Sequence, residues 1–242
     1  MDATAVAILR QLDDQCITWS NHHAASCTLL SSLLNIIRQR EYTQSQLINS
    51  THTSNSGHPS KHALPFGPRS LQLLIHKQSL EMESVVQQLL AILKTLQQVI
   101  DQMTSLEQQA EALVRRQSFT STTNTITATT ATTTSTAARV TENKTELTSA
   151  KEALCATAAI TPIQTLEWTH RIRDMYHAEY QIKRAQLTQD ALAQAMERYE
   201  SLEQLYRQWS LQRRIEFGLE QEIKERLDTA KRIQDYANLT AR

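Results

Sequence analysis

The stretch MESVVQQLLAILKTLQQVIDQMTSL, residues 82–106, decides the fold of this chain. Apolar side chains recur in it at alternating steps of three and four residues, and Gln, Glu, Ser, Lys and Thr fill most of the other positions. The apolar positions are Met82, Val85, Leu89, Ile92, Leu96, Val99, Met103 and Leu106, and the pattern continues through Ala110 and Leu113. A heptad pattern of this length predicts a long helix that packs on other helices along one face.

A second heptad pattern predicts one helix over residues 1–48, which contain no Gly or Pro. Its positions are Leu9, Leu12, Cys16, Trp19, His23, Ser26, Leu30, Leu33 and Ile37. The polar residues His23 and Ser26 interrupt the apolar stripe. They either fix the register of the helix or lie in a partly exposed turn, and we favour the exposed turn.

A third helical region, residues 160–242, begins with a capping signal. Thr161 stands at the N-cap, Pro162 at the first helical position and Gln164 three residues after the cap. Two neighbouring faces of the following helix carry large side chains, which predicts contacts with two other helices. One face has Leu166, Thr169, Ile172, Tyr176, Glu179 and Lys183, and the other has Trp168, Met175 and Ile182. A further stripe begins at Leu192, and Gly218 is the one break that we predict in it.

Two of the remaining segments are predicted to connect the helices. Residues 49–68 contain three of the four prolines and read as a loop, residues 69–117 form the central coiled-coil helix, and the Thr-rich residues 118–159 read as a disordered linker. The 242 residues include only 3 Gly and 4 Pro, which argues against sheet folds rich in turns. We therefore predict an all-α fold, an antiparallel bundle of long coiled-coil-like helices with a disordered Thr-rich tether.

The charge balance and the motifs point to a binding protein rather than an enzyme. Lys and Arg number 25, as do Asp and Glu, so direct binding to nucleic acid is not expected. No catalytic, metal-binding or cofactor-binding motif is found, and we expect no cofactor and no metal. No signal peptide or membrane-spanning stretch is seen, so we expect the nucleus and the cytoplasm and no membrane partner.

Residues 170–184, HRIRDMYHAEYQIKR, resemble the C-terminal helix of the cyclin-dependent kinase 2-interacting protein family. The matching positions are His170, Met175, Tyr176, Glu179, Lys183 and Arg184, and the aromatic residues Trp168 and Trp209 also fit. The central helix is similar to the coiled coil of that family. A sister family, the helical ribosome maturation factor, is closer at residues 19–35, WSNHHAASCTLLSSLLN, and at residues 166–168, LEW. Both families remain possible, and the helix that begins at Thr161 favours the cyclin-dependent kinase 2-interacting protein family.

This resemblance implies a small non-enzymatic adaptor. In the family, the adaptor joins a hexameric AAA ATPase together with its helical sister subunit and acts in maturation of the large ribosomal subunit. The family is also linked to cyclin-dependent kinases, the cell cycle, DNA replication and genome maintenance. A coiled-coil tether or SNARE-like protein of membrane trafficking is the alternative from another class.

The resemblance places the partner-binding surface on the helix that begins at Thr161. Met175 and Tyr176 are the predicted anchors of that surface, and Lys183 and Arg184 are its charged rim. Trp168, His170, Glu179 and Trp209 complete the predicted set. The alternative is that Met175 and Tyr176 belong to the core of the isolated chain.

Overall fold

The computed structural model describes residues 3–53, 67–124 and 160–240, and helix accounts for 93% of them. In chain order the helices are α1 (Ala3–Thr53), α2 (Pro68–Asn124), α3 (Pro162–Gln186), α4 (Gln189–Met196), α5 (Tyr199–Ser210) and α6 (Phe217–Thr240). No strand occurs in the described ranges, and the predicted all-α class is confirmed. None of these helices has a stretch that is long and apolar enough to cross a membrane.

The chain divides into two compact units. Unit 1 consists of Met1–Thr18, Val99–His177 and Ile215–Arg242, and unit 2 consists of Trp19–Gln98 and Ala178–Arg214. Helices α1, α2 and α3 therefore each give one segment to unit 1 and one to unit 2. Helices α4 and α5 belong to unit 2, and α6 belongs to unit 1.

The two heptad stripes are buried as their spacing predicts. All nine stripe positions in α1 are at most 6% exposed. In α2 every stripe position from Met82 to Leu113 is buried except Ile92, which is half-buried. His23 and Ser26 are part of this buried stripe, so the expected exposed turn is wrong.

Helix α3 begins with the predicted capping box. The backbone N–H of Thr161 donates to Gln164 Oε1 at 3.2 Å, and the backbone N–H of Gln164 donates to Thr161 Oγ1 at 3.2 Å. Pro162 occupies the first helical position, where its missing N–H breaks no intrahelical bond. The local sequence therefore fixes where α3 starts.

In unit 2, α1 and α5 run antiparallel. Glu41 Oε1 accepts the backbone N–H of Tyr199 at 3.2 Å, whereas Ser26, earlier in α1, contacts Trp209, later in α5. The apolar core of this unit consists of Leu30, Leu33, Leu34, Ile36, Ile37, Met82, Val85, Leu89, Leu187, Leu192, Ala195, Leu202, Leu205 and Trp209.

In unit 1, segments of α1, α2, α3 and α6 supply the buried apolar side chains. These include Leu9, Leu12, Cys16, Val99, Met103, Leu106, Ile172, Leu219 and Ile223. Lys224 Nζ on α6 lies 3.6 Å from Asp13 Oδ1 on α1, an ion pair at the partly exposed edge of this unit.

The helix ends differ from the predicted segment boundaries. Helix α1 continues to Thr53, past the predicted loop start at residue 49, and α2 continues to Asn124, past the predicted linker start at residue 118. The predicted disorder of residues 125–159 and the middle of the predicted loop, residues 54–66, lie outside the described residues.

The C-terminal region breaks at three places, none of them at Gly218. The breaks are at residues 187–188, 197–198 and 211–216, and Gly218 lies within the first turn of α6. At the third break, two backbone N–H groups are bonded by side chains of α3 and not by carbonyl groups of a continuous helix. The backbone N–H of Arg214 donates to Glu179 Oε2 at 3.1 Å, and that of Glu216 donates to Met175 Sδ at 2.8 Å. The prediction failed because these bonds join residues about 35–41 apart in sequence, which no local pattern reveals.

Candidate functional site

Helix α3 carries most of the residues predicted to bind a partner. Trp168, His170, Met175 and Tyr176 belong to unit 1, and Glu179, Lys183, Arg184 and Trp209 belong to unit 2. His170 and Arg184 are exposed and Met175 is half-buried, whereas the other five are buried. Most of the predicted set therefore packs inside the chain's own units.

Lys183 lies in the interior of unit 2 beside Glu179. The Lys183 Nζ is 3.2 Å from Glu179 Oε1, and the two side chains are 1% and 2% exposed. The ammonium also donates to the backbone carbonyl oxygen of Trp209 at 2.7 Å and lies 4.6 Å from the centroid of the Trp209 ring. The expected exposed rim at Lys183 is thus wrong, because these contacts satisfy the ammonium inside the unit.

The buried polar contacts of unit 2 continue from Trp209 into α1. Trp209 Nε1 donates to Ser26 Oγ at 2.7 Å, and Ser26 Oγ donates to the backbone carbonyl oxygen of His23 at 2.6 Å. The Ser26 side chain therefore joins α1 to α5, and the His23 side chain is buried one turn earlier in α1. We call the set Lys183, Glu179, Trp209, Ser26 and His23 the buried polar cluster.

Burial controls the protonation of this cluster. Burial, and then the nearby Lys183 ammonium, lower the pKa of His23 to about 4, so its imidazole is neutral at pH 7. Burial also lowers the pKa of Lys183, and the Glu179 carboxylate opposes that effect. Burial raises the pKa of the Cys27 thiol, whose Sγ lies 3.7 Å from His23 Nε2.

In unit 1, Tyr176 is a core residue rather than an exposed anchor. Its side chain is fully buried, and its hydroxyl donates to Glu220 Oε1 at 2.7 Å. Burial raises the pKa of Tyr176, and burial followed by the charge of Glu220 raises the pKa of Cys16 to about 12. Both groups therefore stay protonated at neutral pH. A partner-binding role for Tyr176 and its neighbours stays a prediction.

A second set of charges in unit 1 joins α2 to α3. Arg173 donates to both carboxylate oxygens of Glu107, from Nε at 2.9 Å and from Nη2 at 3.0 Å. His170 Nδ1 lies 2.6 Å from Glu107 Oε1, and His170 Nε2 lies 3.2 Å from Asp174 Oδ2. Burial alone would raise the pKa of Glu107, but the hydrogen bonds from Arg173 and His170 outweigh it and hold that pKa below its usual range.

Sequence reasoning missed Glu107, Arg173 and Glu220 as structural partners. Glu107 directly follows the stripe residue Leu106 and so lies at the edge of the buried face of α2. A carboxylate at that position is expected to pair with a charged or hydrogen-bonding group. The sequence does not show that Arg173 is its partner.

Two exposed features of unit 2 have the character of binding surfaces. The first is the face of α2 that carries Leu73 and Leu80, which are 65% and 55% exposed. The second is a groove of about 200 Å³ between α3 and α5, whose walls include Ile182 and Leu211. Both place large apolar side chains against solvent.

Comparison with known proteins yields no assignment. No protein-family model matches the chain, and no curated protein is significantly similar to it. Among the described residues, no group of three or more His, Cys, Asp or Glu side chains is arranged to hold a metal ion.

Proposed function

We propose that this chain is a non-enzymatic helical adaptor that binds a partner protein through the exposed face of α2 at Leu73 and Leu80. On the resemblance described above, the partners are a helical sister subunit and an AAA ATPase that act in maturation of the large ribosomal subunit, in the nucleus and the cytoplasm. A cyclin-dependent kinase is the further partner that the same resemblance suggests.

The adaptor role is supported by the arrangement of two exposed leucines on α2. Leu73 and Leu80 are seven residues apart, which places them on the same face of α2 two turns from each other. Leu71, Gln78 and Met82 are buried on the opposite face. Single exposed apolar residues are common, but two leucines aligned on one exposed helix face match the spacing with which helices bind partner helices.

The protonation of the Cys16 and Cys27 thiols and of the Tyr176 phenol supports a structural role for these groups. The thiolate is the nucleophilic form of cysteine, and the raised pKa values of Cys16 and Cys27 disfavour it at neutral pH. Tyr176 is likewise held as the neutral phenol, with its hydroxyl bonded to Glu220. These groups serve packing, and ATP hydrolysis belongs to the partner.

The test is affinity purification of the full chain followed by mass spectrometry, with the wild type and Leu73→Ser/Leu80→Ser compared side by side. We expect an AAA ATPase and a helical subunit to co-purify with the wild type and to be lost from the variant. The variant should keep the wild-type melting temperature, because both substituted residues are exposed.

Leu90→Ser is the matched control, because Leu90 is an exposed leucine on a different face of the same helix. It should retain the partners. Recovery of vesicle proteins in place of an ATPase would support the membrane-tether alternative and overturn the adaptor proposal.

A further inference from the structure

The groove between α3 and α5 in unit 2 combines apolar walls with polar groups. Its lining residues are Glu179, Ile182, Gln186, Gln208, Leu211 and Arg213. Its volume of about 200 Å³ is below the range of about 300–1,000 Å³ that is usual for small-molecule sites. A groove of this size suits one side chain of a partner peptide better than a drug-sized ligand.

The apolar walls of the groove are open to solvent. Ile182 is 37% exposed and Leu211 is 50% exposed. An aliphatic side chain inserted between them would remove apolar surface from water on both sides, which is the main favourable term in such contacts. The groove therefore favours a branched aliphatic side chain such as leucine.

One polar atom of the groove residues lacks a partner. Gln186 Oε1 is buried and accepts no hydrogen bond, while Gln186 Nε2 donates only a long bond of 3.5 Å to Gln208 Oε1. A buried acceptor without a donor is destabilising, so a Gln186 side chain that turns toward the groove gains from a donor supplied by a ligand. A backbone N–H next to an inserted side chain is such a donor.

The available charge of the groove is positive. Glu179 does not offer a free carboxylate, because Lys183 and the backbone N–H of Arg214 already bind its two oxygens. Arg213 is exposed at the groove and forms no ion pair with another described residue. An acidic side chain is the complement of this charge.

We infer that the α3–α5 groove binds a partner peptide in which a leucine-like side chain enters between Ile182 and Leu211 and an adjacent Asp or Glu pairs with Arg213. The Gln186 side chain turns toward the groove, and a backbone N–H of the same peptide donates to its Oε1. This inference goes beyond the adaptor proposal, because it adds a second surface with its own chemistry and does not depend on which proteins bind at Leu73 and Leu80.

The test uses the full chain and an array of 12-residue peptides. Each peptide has one central leucine, flanked by aspartate, serine or lysine. The wild type should bind the aspartate peptides best and the lysine peptides least. Leu211→Ser should weaken binding to the aspartate peptides, because it removes one apolar wall.

Charge reversal at the groove gives the sharper result. Arg213→Glu should weaken binding of the aspartate peptides by about tenfold or more, since about 1.4 kcal/mol corresponds to tenfold, and should shift the preference to the lysine peptides. Arg198→Glu is the matched control, because Arg198 is exposed in the same unit but does not line the groove.

Three outcomes would overturn the inference: no leucine peptide binds the wild type, Arg213→Glu keeps the aspartate preference, or Arg198→Glu loses as much affinity as Arg213→Glu. Leu73→Ser/Leu80→Ser should bind the array like the wild type. Its result in the purification experiment therefore tests the adaptor proposal separately.

Discussion

Lys183 in unit 2 and Arg173 in unit 1 are both on α3 and both pair with a glutamate, but water reaches the two pairs very differently. The side chains of Lys183 and Glu179 are 1% and 2% exposed, whereas those of Arg173 and Glu107 are 25% and 11% exposed. Lys183 and Glu179 are one turn apart on a single helix, whereas Arg173 reaches across to α2. Similar charges on one helix thus meet two different environments.

This difference decides what each pair contributes. A fully buried ion pair is costly to form, and removing one partner leaves a buried charge without compensation. A pair at the partly exposed edge of a unit loses less when it is broken, because water can reach the group that remains. The buried polar cluster should therefore control the stability of unit 2, and the Glu107 pair should make a smaller contribution in unit 1.

The largest expected effect comes from removing the buried ammonium. Lys183→Met keeps most of the side-chain length but leaves the Glu179 carboxylate buried beside an apolar group. Breaking a buried pair in this way costs about 3–5 kcal/mol in the free energy of unfolding. Urea unfolding followed by circular dichroism measures it.

Arg184→Met, at the next residue, is the matched control, because Arg184 is exposed and pairs with no charged group in the part of the chain that the structure describes. It should stay within about 0.5 kcal/mol of the wild type. Equal stabilities of the two variants would show that the buried pair of Lys183 and Glu179 does not control the stability of unit 2.

The next effect is a pH dependence that arises from His23. Its pKa is about 4 in the folded chain and about 6.5 when unfolded, so the unfolded state binds more protons between these values. The contribution of His23 to stability is therefore complete above pH 6.5 and is lost as the pH falls toward 4. A shift of this size corresponds to roughly 3 kcal/mol in the free energy of unfolding.

His23→Leu isolates this effect, because leucine removes the titration at a buried position of the α1 stripe. The stability of His23→Leu minus that of the wild type should grow as the pH falls from 7 to 4. Urea unfolding at several pH values gives this difference directly. A difference that stays constant over this range would show that His23 is protonated inside unit 2 without cost.

The hydrogen bond between Trp209 and Ser26 should have an intermediate effect. Trp209→Phe removes the indole N–H and leaves the buried Ser26 hydroxyl without its donor, at a cost of about 1–3 kcal/mol. Ser26→Ala added to Trp209→Phe should recover part of this loss, since no unpaired group then remains. Strict additivity of the two single changes in urea unfolding would mean that this bond does not couple α1 to α5.

Sequence reasoning predicted most of the core because heptad spacing is a local property. The α1 and α2 stripes and the capping box at Thr161 each lie within one helix, so their residues can be read together. The face of α3 from Leu166 to Lys183 was also recognised, and its residues are buried apart from the half-buried Leu166. That face includes the charged residues Glu179 and Lys183, whereas the resemblance places Lys183 on the rim of a partner-binding surface.

The partners of these residues could not be predicted. Trp209 lies 26 residues from Lys183 and 183 residues from Ser26 in sequence, and only the folded chain brings them together. The same holds for the α3–α5 groove, which depends on the break at residues 211–216. Local patterns show which face of a helix is buried, whereas the group that a buried polar residue meets depends on the whole chain.

The smallest expected effect is that of breaking the less buried pair in unit 1, Arg173 with Glu107. Glu107→Gln keeps the shape of the side chain and removes its charge, which weakens the bidentate bond to Arg173. We expect a loss of about 1 kcal/mol in the free energy of unfolding at pH 7, because part of the pair is solvated. Glu111→Gln, one turn later in α2, is the matched control, since its pair with Arg115 is far more exposed and should contribute almost nothing.

The lowered pKa of Glu107 also predicts how the stability difference between the wild type and Glu107→Gln depends on pH. Since that pKa is lower in the folded chain than the ordinary value of 4.5, the carboxylate stabilises unit 1 above pH 4.5 and loses this contribution as the pH falls through the folded value. The stability gap between the wild type and Glu107→Gln should therefore shrink in acid. The gap created by Lys183→Met should exceed the gap created by Glu107→Gln at neutral pH. If Glu107→Gln were the more damaging change, burial would not be what separates the two ion pairs on α3.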